Sequence, residues 1–278
     1  MRRKDLPQGI RPRPKESAEV AEGLMDWDLA VARGQRMREA KRIFLTAEWR
    51  DLAMLNYEVD PSLLERYLPQ GTDLDSFERK TYVSLVGFCF SRTRLWGKIA
   101  VPLHTEFEEV NLRFYVRRRE GSEKRRGVCF IAEIVPKRAI AWTARLVYGE
   151  NYRRFPMEHR VAQNGLGKMA EYGWRVGHRS CRLFVHAGDE PVYPHEGSLE
   201  QFISEHYWGY SKRRSGGSLE YRVAHAPWRV AVAASSGFEG DAKTTYGAAF
   251  AEILRGKPDS AFLAEGSSVE VFAGERIG

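Results

Sequence analysis

From Glu106 to Arg117 the chain alternates with a period of two, EFEEVNLRFYVR. Successive side chains of a strand point to opposite faces. One face of this segment is Val110, Leu112, Phe114 and Val116; the other is Phe107, Glu109, Asn111, Arg113 and Tyr115. The second face sets an acid, an amide and a guanidinium between two aromatics, so it is either solvated or lines a polar cavity. At ~3.3 Å per residue, Glu109 and Arg113 stand roughly 13 Å apart with Asn111 midway. That separation excludes direct contact along one straight strand and suits groups gripping different ends of one small molecule.

Other segments carry the same β-type signal. FLTAEW leads into DLAMLNYEV, and TYVSLVGFCF (Thr81 to Phe90) is a long run of branched and aromatic residues. GVCFIAEIV (Gly127 to Val135) follows a charged Gly-Ser turn and pairs with the 106–117 segment as a hairpin. Met157 to Val161 and Trp174 to His186 give two more strands. Gly216-Gly217 turns a hairpin between SKRR and SLEYRVAH, and SAFLAEGSSVEVF is the last strand.

Helical spacing is confined to shorter pieces. Asp60-Pro61 opens a turn or two that Pro69 and Gly71 end. Ala139 to Val147 has helical character. Ser198 with Gln201 forms a capping box ahead of the stripe Leu199, Phe202, Ile203 and Tyr207. Asp241 to Arg255 reads as one helix with Tyr246, Phe250, Ile253 and Leu254 inward, closed by Gly256 and Pro258. Many strands, few helices and no βαβ rhythm give an α+β protein built on a mainly antiparallel barrel or sheet. The body runs over residues 43–278. Residues 1–42 form an extension, Pro-rich and basic at RPRPKE, then helical through Val20, Leu24, Trp27 and Val31. That helix has the body or a second subunit to pack on, which leaves an oligomer open.

A length of 278 residues with 43% hydrophobic content can bury a large core and excludes a disordered chain. The net charge of +7 changes the picture less than it first suggests. Residues 1–42 hold eleven Lys/Arg and seven Asp/Glu, or +4, which leaves +3 for the body. The basic cluster RRREGSEKRR (Arg117 to Arg126) falls on a hairpin turn, and no nucleic-acid signature accompanies it. No nucleic-acid partner is expected. No apolar run reaches the ~18 residues of a membrane span, and the N-terminus lacks an apolar signal region. Cys89, Cys129 and Cys181 form neither a CxxC pattern nor a disulfide framework, so a reducing cytoplasm is expected. Histidines lack metal-ligand spacing, and no P-loop or GxSxG elbow is present. No cofactor or metal is expected.

DPSLLERYLPQG, TYVSLVGFCF, FEEVNLRFYV, GVCFIAEI, HAPWRV and DSAFLAEGSSVEVF together resemble the YqjF-like family of conserved bacterial proteins of unknown function. The resemblance runs from about Phe44 to Phe272. That family is similar to the acetoacetate decarboxylase-like superfamily, which implies a large, mainly antiparallel β-barrel or cone with helices around it and an internal cavity. The decarboxylase mechanism needs a Schiff-base lysine with a lowered pKa. The best-matching segment here is Gly149-Glu150-Asn151-Tyr152-Arg153-Arg154, so Tyr152 holds the nucleophile position. Tyrosine forms no imine, and Schiff-base decarboxylation is not expected unless Lys98, Lys137 or Lys168 reaches the cavity. The acidic residue of the pattern falls on Glu108 or Glu109, and alternation favours Glu109, which shares its face with Asn111 and Arg113.

These residues define the candidate site. Arg113 on an internal wall would bind a carboxylate or phosphate through its planar fork; the alternative is a structural ion pair with Glu109 or Glu133. Glu109 acts as acid or base if burial raises its pKa and stays ionised if Arg113 pairs with it. Tyr152 is the second proton-transfer candidate. His206 (in EHYWGY) and His225 (in HAPW) are structural, or, if both point inward, supply proton transfer or hold a metal with Glu265; the three are also the further substrate-binding candidates. Tyr207, Trp208, Tyr210 and Trp228 line an apolar pocket or pack helix on sheet. The expectation is a protein that binds a small carboxylated metabolite in a barrel cavity. It either performs lyase or isomerase chemistry on an oxo acid or serves as a non-catalytic sensor or scaffold with a partner-recruiting tail.

Overall fold

The computed structural model describes residues 43–97, 99–100, 106–136, 151–165, 167–213 and 216–278. In chain order the elements are β1 (Ile43–Val59), α1 (Ser62–Glu65), β2 (Asp73–Leu74), β3 (Thr81–Leu95), β4 (Ile99–Ala100), β5 (Phe107–Glu120), β6 (Glu123–Val135), β7 (Tyr152–Arg154), β8 (Met157–Asn164), β9 (Gly167–Val176) and β10 (Arg179–Ala187). They continue with α2 (Leu199–Ser204), β11 (Trp208–Lys212), β12 (Ser218–His225), β13 (Val230–Gly240), α3 (Ala242–Tyr246), α4 (Ala248–Arg255), β14 (Ser260–Phe272) and β15 (Glu275–Ile277). The protein is mostly sheet, and its helices are short.

Strand neighbours run β12-β11-β6-β5-β3-β1-β14, and β12 pairs back onto β14 through Val223 opposite Val271. These seven strands therefore close a ring. From β14 the sheet continues outward through β13, β10, β9 and β8. Pairing is antiparallel except where β11 and β7 lie parallel to β6. The β5–β6 hairpin forms as its sequence implies, with Gly121-Ser122 as a two-residue turn between the paired Glu120 and Glu123.

Strands β1, β3, β5, β6 and β14 divide their side chains between two cores, and β12 packs in a third, smaller cluster. Outward, Leu55, Leu85, Leu112 and Phe114 pack under Tyr172, Trp174 and Leu183 of the outer sheet and Phe250 of α4. Inward, Met54, Phe88, Phe107 and Tyr115 form a second cluster with Phe202 and Trp228. Strand β5 is thus buried on both faces.

Three expectations are corrected. Trp174 to His186 is two strands, because Gly177 at φ 61 turns the chain and Arg179 pairs back onto Val176. Strand β9 begins at Gly167, earlier than the apolar pattern suggested. Asp241 to Arg255 is two helices, because Gly247 at φ 88 interrupts the helical backbone. The Ser198 cap forms, with Gln201 N–H donating to Ser198 Oγ at 3.2 Å, but the Gln201 side chain accepts from Gly197 N–H at 2.8 Å. The helical expectation for Ala139 to Val147 and those for residues 1–42 lie outside the described residues. No helix among the described residues is long and apolar enough to cross a membrane.

A bulge in β1 shapes the inside of the ring. The β1–β3 register slips between Arg50 and Ala53, and Asp51 adopts φ 57. Its carbonyl accepts a hydrogen bond from the Tyr172 hydroxyl at 2.8 Å. Trp49 and Leu52, three residues apart, consequently both face inward. Gly266 lies opposite at φ 80, where any Cβ would collide with the Trp49 carbonyl oxygen. Gly266→Ala should therefore cost more than ~1 kcal/mol, through strain and the clash together. A urea midpoint equal to that of the wild type would show that the bulge is not tightly held.

Candidate functional site

The ring encloses a cavity of about 170 Å³. Glu109, Asn111 and Arg113 all line it and are 3%, 2% and 8% exposed. The polar face of β5 is therefore the wall of a cavity, and the solvated alternative is excluded. A second bulge supplies another acid. Leu112 pairs with Ala132 but Arg113 pairs with Phe130, so Ile131 is an extra residue in β6. Phe130 and Glu133, three apart in sequence, then both face inward. Glu133 stands directly across from Asn111 and is 1% exposed.

Hydrogen bonds link these groups. Asn111 Nδ2 donates to Glu109 Oε1 at 3.0 Å. Tyr152, beside Glu133 in the parallel β6–β7 register, donates its hydroxyl to Glu109 Oε2 at 3.4 Å. Arg113 Nη2 donates to the Ile203 carbonyl at 3.4 Å and contacts Met54 Sδ at 3.9 Å. Ile203 lies in the last turn of α2, where carbonyls lack intrahelical partners and a cation is favourable. Arg113 Nε has no hydrogen-bond partner.

Both candidate histidines line the cavity. His206 lies against the Tyr115 ring at 4.7 Å and edge-on to Phe202 at 5.5 Å. Its Nε2 is 4.0 Å from Asp75 Oδ2, but Arg126 Nε holds that same oxygen at 2.6 Å. Burial first, then the Arg126 and Arg113 charges, hold the His206 pKa well below its usual value. Burial thus favours the neutral ring, with the Ile203 backbone opposing the shift. His225 stacks on Trp228 at 4.2 Å and meets Tyr207 at a tilt at 4.8 Å, and its Nδ1 is 2.8 Å from the Ala226 carbonyl. Burial lowers its pKa as well.

Glu265 does not join them. Its inward neighbour is Ala264, so alternation along β14 turns Glu265 outward, where Arg229 holds both of its oxygens at 2.8 and 2.9 Å. Among the described residues no cluster of three or more His, Cys, Asp or Glu could hold a metal. No described lysine lines the cavity. Lys168 pairs with Asp51, and Lys98 and Lys137 lie outside the described residues. Burial pushes the Cys89 thiol up to about 11, so it is not a thiolate nucleophile. Of the four pocket aromatics, Trp208 and Trp228 line the cavity and Tyr207 lies tilted against His225. Tyr210 faces the outer core and bonds Glu220 at 2.8 Å. In the basic hairpin, Arg118 and Arg125 close on buried Glu220 at 3.1 and 2.6 Å.

Sequence reasoning missed Glu133 as a cavity group, and it missed the aromatics Trp49, Phe88 and Phe90 that join Phe107 on the wall. Alternation along TYVSLVGFCF puts Val86, Phe88 and Phe90 on one face and could have found two of those three. Glu133 and Trp49 are turned inward by bulges, which alternation does not reveal.

The neutral burial of His206 has a pH signature. The unfolded chain takes up a proton near pH 6.5 and the folded chain does not. Its contribution is fully present above about 6.5 and falls as the pH drops, by up to about 1.4 kcal/mol per pH unit. Urea denaturation between pH 7.5 and 5.5 should show a shallower slope for His206→Gln than for wild type. Identical slopes would mean that His206 is charged in the fold.

Residues 46–268 match the DUF2071 family, described as "Uncharacterized conserved protein". The uncharacterized protein YqjF of Bacillus subtilis (strain 168) is 24% identical over 185 residues, covering 65% of this chain and 72% of that protein. Among solved structures, acetoacetate decarboxylase from Legionella pneumophila subsp. pneumophila str. Philadelphia 1 superposes with a TM-score of 0.61 at 10% identity, over 84% of this chain and 87% of that chain. The enduracididine biosynthesis enzyme MppR complexed with pyruvate superposes with a TM-score of 0.57 at 14% identity, over 84% and 90%. At these identities the likeness establishes an acetoacetate decarboxylase-like fold.

Proposed function

The chain belongs to the DUF2071 family of uncharacterized conserved proteins, and we propose that it binds a small carboxylated metabolite inside its strand ring, with Arg113 as the anion anchor. The observation that carries this is a buried guanidinium on the wall of a mostly apolar cavity. A carboxylate bound against it gains a charge-assisted bond. The size supports a compact ligand: a cavity of ~150 Å³ holds one benzene, and this one is about 170 Å³. The pyruvate in the MppR structure belongs to that protein and lends the oxo-acid class only an analogy.

Catalysis, in this reading, is proton transfer. Glu109 is the base at a carbon beside the substrate carbonyl, Tyr152 shares its proton, and Arg113 stabilises the enolate. Asn111, His206 and His225 complete the binding wall. Tyr152 at the lysine position of the decarboxylase pattern argues against an imine route. The free thiols Cys89, Cys129 and Cys181 suit a cytoplasmic site of action.

A thermal-shift panel of small carboxylic acids tests the anchor. An acid at ~100 times its dissociation constant adds about 2.7 kcal/mol, roughly 5–10 °C for a body of this size. The shift should vanish in Arg113→Met. No shift with any acid would make the polar wall structural. Turnover of an oxo acid should be lost in Glu109→Gln while binding persists; binding without turnover in the wild type would identify a sensor. Borohydride with an oxo acid should leave no reduced lysine adduct, and such an adduct would overturn the proton-transfer route.

A further inference from the structure

Trp49 stands in the cavity for a reason that the anion anchor does not supply. The β1 bulge at Asp51 turns it inward, and its indole is half-buried among the lining residues. On one side it meets Phe88 and Phe90 of β3 edge-on at 5.3 and 5.9 Å. On the other it meets Trp228 at 6.2 Å and His225, the last residue of β12, at 6.5 Å. In the ring, β1 and β14 lie between β3 and β12. One indole therefore bridges side chains from strands that are not neighbours. It also stands between two apolar parts of one cavity. Phe88, Phe107 and Trp228 belong to the inner cluster, and Val223 and Val271 to the smaller one. All five line the cavity, and Trp49 packs on both clusters. Only Leu45, a much smaller side chain, shares that position.

We propose that Trp49 sets the length of the ligand, so that the site takes short-chain oxo acids and the indole bars longer ones from the wall at Val223 and Val271. This assignment rests on the carboxylate reading and narrows it. The cavity of about 170 Å³ compares with ~150 Å³ for one that holds benzene. A four-carbon oxo acid is little larger than benzene, whereas an eight-carbon one has nearly twice its atoms. Ring contacts on both sides fix the indole, and a packed interior yields little room to a side chain that would have to move aside. Without the indole, the space it fills would join the cavity. Each further methylene of the ligand would then find apolar wall, at about a fourfold gain in affinity.

Titration calorimetry with 2-oxobutanoate, 2-oxohexanoate and 2-oxooctanoate tests this on the intact protein. Wild type should bind the shortest acid at least about tenfold more tightly than the longest, because the added methylenes overfill the site. Trp49→Ala should reverse that order. A purely structural indole would weaken all three acids together and leave the order unchanged, and that result would overturn the proposal. A wild type that binds 2-oxooctanoate as tightly as 2-oxobutanoate would overturn it too, with no variant needed. If Trp49→Ala does not fold, Trp49→Leu takes its place: the longest acid should gain on the shortest, and an unchanged ratio would count against the indole. A flat length series that is lost in Arg113→Met would remove the length limit and leave the anchor standing. Binding indifferent to Arg113→Met, or no binding of any of the three acids, would remove the anchor and the length limit with it.

Discussion

A strand buried on both faces has no water to offer its polar side chains, and β5 is such a strand. Its outer face, through Leu112 and Phe114, is sealed by the outer sheet and the α3–α4 pair. Its inner face carries Glu109, Asn111 and Arg113. Burying an acid, an amide and a guanidinium is costly unless each finds a partner. The structure meets that demand only in part. Glu109 receives Asn111 and Tyr152, and Arg113 takes the Ile203 carbonyl. Arg113 Nε and Asn111 Oδ1 are left over. Both residues line the cavity.

The rest of the ring sets the shape of that place. The β12–β14 pairing closes it. The bulge at Asp51 turns Trp49 inward beside Leu52, and the bulge at Ile131 turns Glu133 inward beside Asn111. Helix α2 and the residues after it bring Ser204 and His206 to the wall. Trp49 meets Phe88 and Phe90 edge-on at 5.3 and 5.9 Å, giving one side of the cavity a rigid aromatic surface. The charged groups therefore sit in apolar surroundings, where hydrogen bonds to ions are strongest.

Much of this was legible in the sequence because the side-chain period of a strand is two. Alternation alone separated Val110, Leu112, Phe114 and Val116 from Glu109, Asn111 and Arg113, and the structure keeps that division. Turn chemistry fixed the β5–β6 hairpin at Gly121-Ser122. What failed did so where the period broke. Single glycines, Gly177 and Gly247, split elements that the apolar pattern ran together. Bulges displaced Trp49 and Glu133 from their apparent faces. Glu265 illustrates a different limit: chemistry-bearing residues near one motif were grouped without knowing their face, and β14 points this one outward to Arg229. Whether the polar face met water or a cavity depended on ring closure, which joins residues about fifty positions apart and leaves no local trace.

The most direct test is the Arg113 Nε–H resonance itself, assigned in a ¹H–¹⁵N spectrum by its loss in Arg113→Lys. On titration with a stabilising acid from the thermal-shift panel this signal should shift progressively and saturate, because a carboxylate held by the guanidinium changes the surroundings of its Nε–H. If the acid binds and this resonance stays still, Arg113 is a structural cap for α2 and the cavity is not an anion site.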